Sequence, residues 1–210
     1  MTTNPAARGR FITVEGIEGV GKSTNLSFIS NELRRAGNAV VETREPGGTS
    51  LGERIREILL SPEIRIAPLT ELLLVFAARS THLEEVIWPA LASGKWVVCD
   101  RFTDASHAYQ GGGRGLPAAS IDTLAGLVQD GLRPDLTLLL DAPLQVSVDR
   151  LAGRAQRDRF EQESAEFFQR VRAAYLDMAG REPARIRVID ASQPLADVQA
   201  AIRAALATLN

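Results

Sequence analysis

The chain of 210 residues carries 24 Lys and Arg against 26 Asp and Glu, a formal charge of -2, with 45% hydrophobic and 24% charged residues. That balance excludes a disordered or fibrous protein, and it lacks the basic footprint of a dedicated nucleic-acid or anionic-membrane binder, so neither partner is expected and any anion site must be local. Cys99 is the only cysteine, which leaves no internal disulfide framework and no cysteine-based metal cluster; with no apolar core near the amino terminus and no apolar run longer than Leu72 to Ala78, a cytoplasmic protein is expected.

In chain order, five short apolar runs end in polar residues and predict strands: Phe11–Glu15, Ala39–Thr43, Trp96–Asp100, Leu136–Asp141 and Ile186–Asp190. Their interiors are almost continuously apolar, as in a parallel sheet covered on both faces. Between them, helix-period segments are predicted over Lys22–Ala36, Leu51–Leu60, Leu69–Ala92, Ala118–Asp130, Leu144–Leu151, Glu161–Ala179 and Leu195–Leu209. Gly37, Gly94 and Gly131 stand where helix ends are expected. The alternation predicts a single α/β domain over residues 1–210 with a five-stranded parallel sheet flanked by helices. The polar stretch GRAQRDRFE looks like a mobile excursion from it.

The stretch GIEGVGKS, Gly16 to Ser23, fits the phosphate-loop pattern and lies between the first predicted strand and the first helix. That context is the one the motif requires. Glycines let the chain take positive φ and bring backbone N–H groups around phosphate oxygens, and the following helix turns its positive end on them. Gly16, Ile17, Glu18, Gly19, Val20, Gly21, Lys22, Ser23 and Thr24 are therefore candidate ATP-binding residues. Lys22 is expected at the β and γ phosphates and Ser23 at Mg²⁺. A guanine-reading N-K-x-D is absent, and D-x-x-G occurs only at Asp177 to Gly180 late in a predicted helix, so a GTP switch is poorly supported. A carboxylate in such a loop, Glu18, is the anomaly.

Further specialised stretches follow the later strands: TREPGGT, DRFTDASHAYQGGGRG and GRAQRDRFEQES. In open α/β sheets, ligands bind at the carboxyl ends of strands, where these loops would converge on the phosphate loop. In this order, EGIEGVGKS, TREPGGT, FAAR, CDRFTDASHAYQGGGRG, RPDLTLLLD and DRFEQE resemble the thymidylate kinase (dTMP kinase) family in its bacterial form, over nearly the whole chain. The resemblance implies a P-loop NTPase fold and transfer of the γ-phosphoryl of Mg-ATP to dTMP, giving dTDP. It also implies a homodimer and a small lid over about residues 150–162.

Resemblance assigns the site as well. Arg44 and Arg56 match positions near the acceptor phosphate and Arg101 the arginine that clamps it, a task suited to a rigid guanidinium fork. Asp100 would hold Mg²⁺ with Ser23. Glu18 would face the acceptor's sugar hydroxyl rather than ATP. Arg79 would donate to the thymine carbonyl, Ser106 and Gln110 would bond the base's polar edge, and Tyr109 would crowd the 2′ position. At the base-stacking position the family's aromatic is replaced by Val75, so Phe76 is the expected substitute. The phosphate loop lacks the arginine some members carry there. Among the lid arginines Arg150, Arg154, Arg157 and Arg159, the catalytic one is expected to be Arg154, supported by Arg159. Alternatives are a kinase for another nucleoside monophosphate and a nucleotide-dependent switch or motor.

Overall fold

The computed structural model describes residues 8–151 and 158–209. Five strands, β1 (Phe11–Glu15), β2 (Val40–Arg44), β3 (Trp96–Asp100), β4 (Leu136–Asp141) and β5 (Ile186–Asp190), pair in the order β2-β3-β1-β4-β5, every pair parallel. Central β1 is buried at every residue and β4 at all but its last, whereas edge strand β2 is partly exposed throughout. Those burials explain the unbroken apolar runs: a strand covered on both faces has no polar side to show.

The helices are α1 (Lys22–Arg35), α2 (Ser50–Leu60), α3 (Pro68–His82), α4 (Trp88–Ala92), α5 (Thr103–Ser106), α6 (Ala118–Gln129), α7 (Leu144–Leu151), α8 (Ala165–Arg181) and α9 (Leu195–Leu206). On one face of the sheet, Ile29 of α1, Val171 of α8 and Ile202 of α9 pack with Ile12, Val14 and Leu138. On the other, Leu83, Ile87 and Leu91 cover Phe11, Val97 and Cys99. Cys99 is thus a buried small hydrophobe, as its place inside a strand suggests. Among the described residues, no helix is long and apolar enough to cross a membrane.

Besides shifts of one to three residues at element ends, such as β2 at Val40–Arg44 and α9 ending at Leu206, three larger differences from expectation stand out. The long helix predicted over Leu69–Ala92 is interrupted by a π-helical turn, Leu83–Ile87, in which the Trp88 N–H reaches back to the Leu83 carbonyl. Pro89 lies just beyond; it has no N–H to give the preceding turn, and the backbone widens ahead of it. The stretch after β3, expected as a loop, is helical through α5 and a π segment, His107–Gly113. Its glycines serve contact rather than freedom, since a Cβ on Gly112 would lie 2.7 Å from the Ala174 Cβ, and one on Gly113 2.5 Å from the Phe167 ring. α8 begins at Ala165 rather than Glu161 because Ser164 caps it, its Oγ accepting the Phe167 N–H.

Candidate active site

Because all strands run the same way, the segments that leave β1, β2 and β3 emerge at one edge of the sheet. They enclose a cavity of about 440 Å³. Gly19, Gly21, Lys22, Ser23 and Thr24 line one part of it, and Arg56, Arg79, Arg101, Ser106, Tyr109 and Gln110 another.

The phosphate loop takes its shape from backbone that only glycine adopts without strain: φ is +133° at Gly16, +78° at Gly19 and +92° at Gly21. A Cβ on Gly19 would stand 2.5 Å from the Ser147 carbonyl oxygen, so a second reason for glycine is the close approach of α7. No acidic residue occupies the first turn of α1 and, among the described residues, no side chain caps it, which leaves its N–H groups open for an anion. Ile17 and Val20 turn their side chains into the core, so only their backbone is available to a ligand. The Lys22 ammonium folds back on the carbonyls of Gly16 and Ile17, at 3.1 and 2.8 Å. Burial, aided by the nearby Arg101 cation, pushes its pKa down to about 8.

Arg101 follows β3 and stays attached to the sheet, its N–H donating to the Val14 carbonyl. Its φ of +72° is unusual for a residue with a side chain. The conformation aims the guanidinium back at the loop: Nη1 donates to the Gly16 carbonyl at 2.9 Å and Nη2 to Glu18 Oε1 at 2.9 Å and the Tyr109 hydroxyl at 3.0 Å. Tyr109 donates to Glu18 Oε2 at 2.7 Å. Beneath this cluster lies Glu15, whose carboxylate accepts the Phe102 N–H and the Tyr175 hydroxyl. Burial and the neighbouring Asp104 raise its pKa to about 8.

Asp100 precedes Arg101, and its Oδ1 is buried with no hydrogen-bond partner among the described residues. A buried carboxylate oxygen with no donor is a costly arrangement that a hard cation relieves. Ser23 lines the same cavity, as well as a neighbouring surface hollow that Asp100 also borders. The pair fits Mg²⁺.

Arg79, only 1% exposed, is clamped in place. Its Nε donates to Glu45 Oε2 at 2.7 Å and its Nη2 to Ser106 Oγ at 3.1 Å, while Phe76 and Phe102 flank the guanidinium at 4.5 and 4.9 Å. Nη1 remains buried without a partner among the described residues. Phe76 therefore packs beneath Arg79 and against Leu72 and Ile121 and does not line the cavity; Val75 does. The helix spacing that admitted both positions could not say which side of Arg79 faces the ligand. Arg56 lines the cavity with Nη1 on the Pro46 carbonyl. Arg44 does not; it is exposed, bonded to Glu53, and borders the neighbouring hollow.

The lid arginines separate. Arg154 and Arg157 lie outside the described residues. Arg150 lines the cavity and donates to the Ala191 carbonyl. Arg159 is docked away, with Nε on the Leu59 carbonyl and Nη1 on Glu71 at 2.7 Å.

Sequence reasoning missed Glu45, His82 and Glu71. His82 Nδ1 bonds Glu45 Oε1 at 3.0 Å and its Nε2 bonds Thr43 Oγ1 at 2.6 Å, so this histidine braces the carboxylate that braces Arg79. Its signal was available: it stands three residues after Arg79, on the same buried face of α3. Among the described residues, no group of His, Cys, Asp and Glu forms a metal cluster.

The family model described as "Thymidylate kinase" matches residues 14–202. A thymidylate kinase of Methylococcus capsulatus is 60% identical over 194 residues, 92% of this chain and 93% of that protein. Another, from Pseudomonas fluorescens, is 59% identical over 202 residues, 96% of each chain. The solved thymidylate kinase of Ehrlichia chaffeensis superposes with a TM-score of 0.78 at 35% identity, over 95% of this chain and 99% of that one. Alike in sequence and in fold over almost its entire length, the chain belongs to the thymidylate kinase family.

Proposed function

We propose that this kinase transfers the γ-phosphoryl group of ATP to the 5′-phosphate of dTMP, releasing ADP and dTDP for nucleotide biosynthesis. One observation carries the reading: a single cavity joins a phosphate loop to a second cluster of cations, Arg56, Arg79 and Arg101, so two anions can meet end to end.

Phosphoryl transfer needs positioning and charge neutralisation more than covalent help. An oxygen of the dTMP phosphate attacks the γ-phosphorus in line as its bond to the β-bridging oxygen breaks. The α1 amides and Lys22 hold the donor, and Arg56 and Arg101 hold the attacking phosphate. Glu18, restrained by Arg101 and Tyr109, accepts from the sugar hydroxyl. That answers the anomaly of an acid in the loop. Tyr109 crowds the 2′ side, and Arg79 Nη1 donates to a base carbonyl. Mg²⁺, held by Ser23 and Asp100, would neutralise charge on the donor's phosphate oxygens. Arg154 is proposed to complete the transition-state charge from the lid, within one domain whose lid spans about residues 150–162.

Leu69 and Leu73 on α3 and Leu127 on α6 are more than 45% exposed, and the two helices pack side by side. A second copy of the chain is the proposed cover, giving a homodimer. With its near-neutral charge, a cytoplasmic enzyme without a nucleic-acid partner is proposed.

The test is diphosphate formation from Mg-ATP with dTMP, dUMP, dCMP, dGMP or AMP. Preferred turnover of dTMP is expected. Better turnover of AMP overturns the acceptor, and ADP release indifferent to every acceptor favours a switch.

A further inference from the structure

Glu71, a charged residue directly before the apolar run Leu72 to Ala78, is fully buried on α3 and takes no part in the proposed reaction. Among the described residues it collects three partners. Gln110 Nε2 donates to Oε1 at 2.9 Å, Arg159 Nη1 lies 2.7 Å from Oε2, and Arg114 Nε donates to Oε1 and Oε2 at 3.3 and 3.2 Å. Arg114 is itself held by Glu163 at 2.6 Å. The carboxylate is thereby fixed from several sides.

Its effect falls on Gln110, which is 3% exposed and lines the cavity. A primary amide has two faces, an NH₂ that donates and an oxygen that accepts, and its orientation follows from its partners. A carboxylate between two guanidiniums only accepts, so the NH₂ must face Glu71. The amide oxygen is what remains for a ligand. Arg79, with Nε and Nη2 already engaged, has the donor Nη1 left over. Together the two residues offer one acceptor and one donor.

Thymine and uracil present a ring N–H beside a carbonyl, which matches both groups. Cytosine presents a bare ring nitrogen beside an amino group, which opposes both. We infer that Glu71 is the positioning residue that sets base selectivity, by locking the Gln110 amide so that the cavity accepts an imide-bearing pyrimidine and rejects an aminopyrimidine. This rests on dTMP being the acceptor.

In Glu71→Gln the new amide can either accept from or donate to Gln110, and the orientation is released. A site built for hydrogen bonds loses its discrimination when those bonds can be remade, so the dTMP-to-dCMP ratio of kcat/KM should fall by about tenfold or more, with KM for ATP changed by less than about twofold. A folded Glu71→Gln enzyme whose ratio stays within about twofold of the parent overturns the inference. Should the variant fail to fold, neutron diffraction on the unmutated enzyme with dTMP decides: deuterons of Gln110 on Glu71 are expected, and deuterons facing the base overturn it. A parent that fails to phosphorylate dTMP strikes the proposed function instead, whereas an active parent with an unaltered ratio in the variant strikes only the role of Glu71.

Discussion

The Arg101 guanidinium lies 2.9 Å from the Glu18 carboxylate, pairing the acid of the phosphate loop with the first residue after β3. Both side chains are mostly shielded, at 15% and 16% exposure, so the pair is screened little by solvent. Removing either partner leaves the other charge poorly compensated. In urea unfolding, Glu18→Ala and Arg101→Ala should each destabilise the protein, and the double variant should lose less than the sum, with a coupling of about 1 to 3 kcal/mol. Strict additivity would show that the contact contributes nothing.

Glu15 makes stability depend on pH. Its folded-state pKa, raised from 4.5 to about 8 by burial and by Asp104, exceeds its unfolded value. Between those two values the folded protein holds a proton that the unfolded chain releases, so this group's contribution is complete below pH 4.5 and is lost as pH rises toward 8. The slope is at most about 1.4 kcal/mol per pH unit. Arg101, the Tyr175 hydroxyl and the Phe102 N–H act in the opposite direction. Glu15→Gln should flatten the fall in melting temperature across this range; a profile parallel to the parent's removes Glu15 as its cause.

Much of this was visible in the sequence. The strands end in Glu15, Asp100 and Asp141 as their apolar runs indicate, and the phosphate loop occupies its predicted strand-to-helix junction. Periodicity and spacing report local geometry, and these are local features. What stayed hidden depends on distant pairings. Glu45 and His82 are 37 residues apart and Glu71 and Gln110 are 39, and neither contact leaves a trace in spacing. The same limit applies to Val75 and Phe76, adjacent on one helix, which only the packing of α3 against α6 tells apart. The glycine-rich stretch after β3, expected as a loop, misled for a related reason, because glycine marks close contact as readily as it marks a loop.

Gly48 tests the brace behind Arg79. Its φ is +79°, and a Cβ there would stand 2.6 Å from His82 Nε2 and 2.7 Å from Thr43 Oγ1. Gly48→Ala must both strain the backbone and push apart the Thr43–His82 hydrogen bond. A loss of about 1 to 3 kcal/mol is expected, read as a melting temperature lower by about 2 to 12 °C. KM for dTMP should rise with it, because Glu45 loses its support. An unchanged melting temperature would mean that the loop relaxes freely and that His82 braces nothing.

Arg56 separates charge from fork geometry at the acceptor phosphate. One of its nitrogens is committed to the Pro46 carbonyl at 2.9 Å, which fixes the plane of the guanidinium while the residue lines the cavity. Burial, together with the neighbouring Arg44, lowers its pKa from the usual arginine value. Hydrogen bonds to a charged group contribute about 1.5 to 3 kcal/mol, so Arg56→Ala should raise KM for dTMP by roughly 10- to 100-fold and leave KM for ATP nearly unchanged. Arg56→Lys keeps the charge but not the fork, and it should recover only part of the loss. Full recovery by lysine would reduce the role of Arg56 to a point charge, and an equal rise in KM for ATP would place it on the donor side.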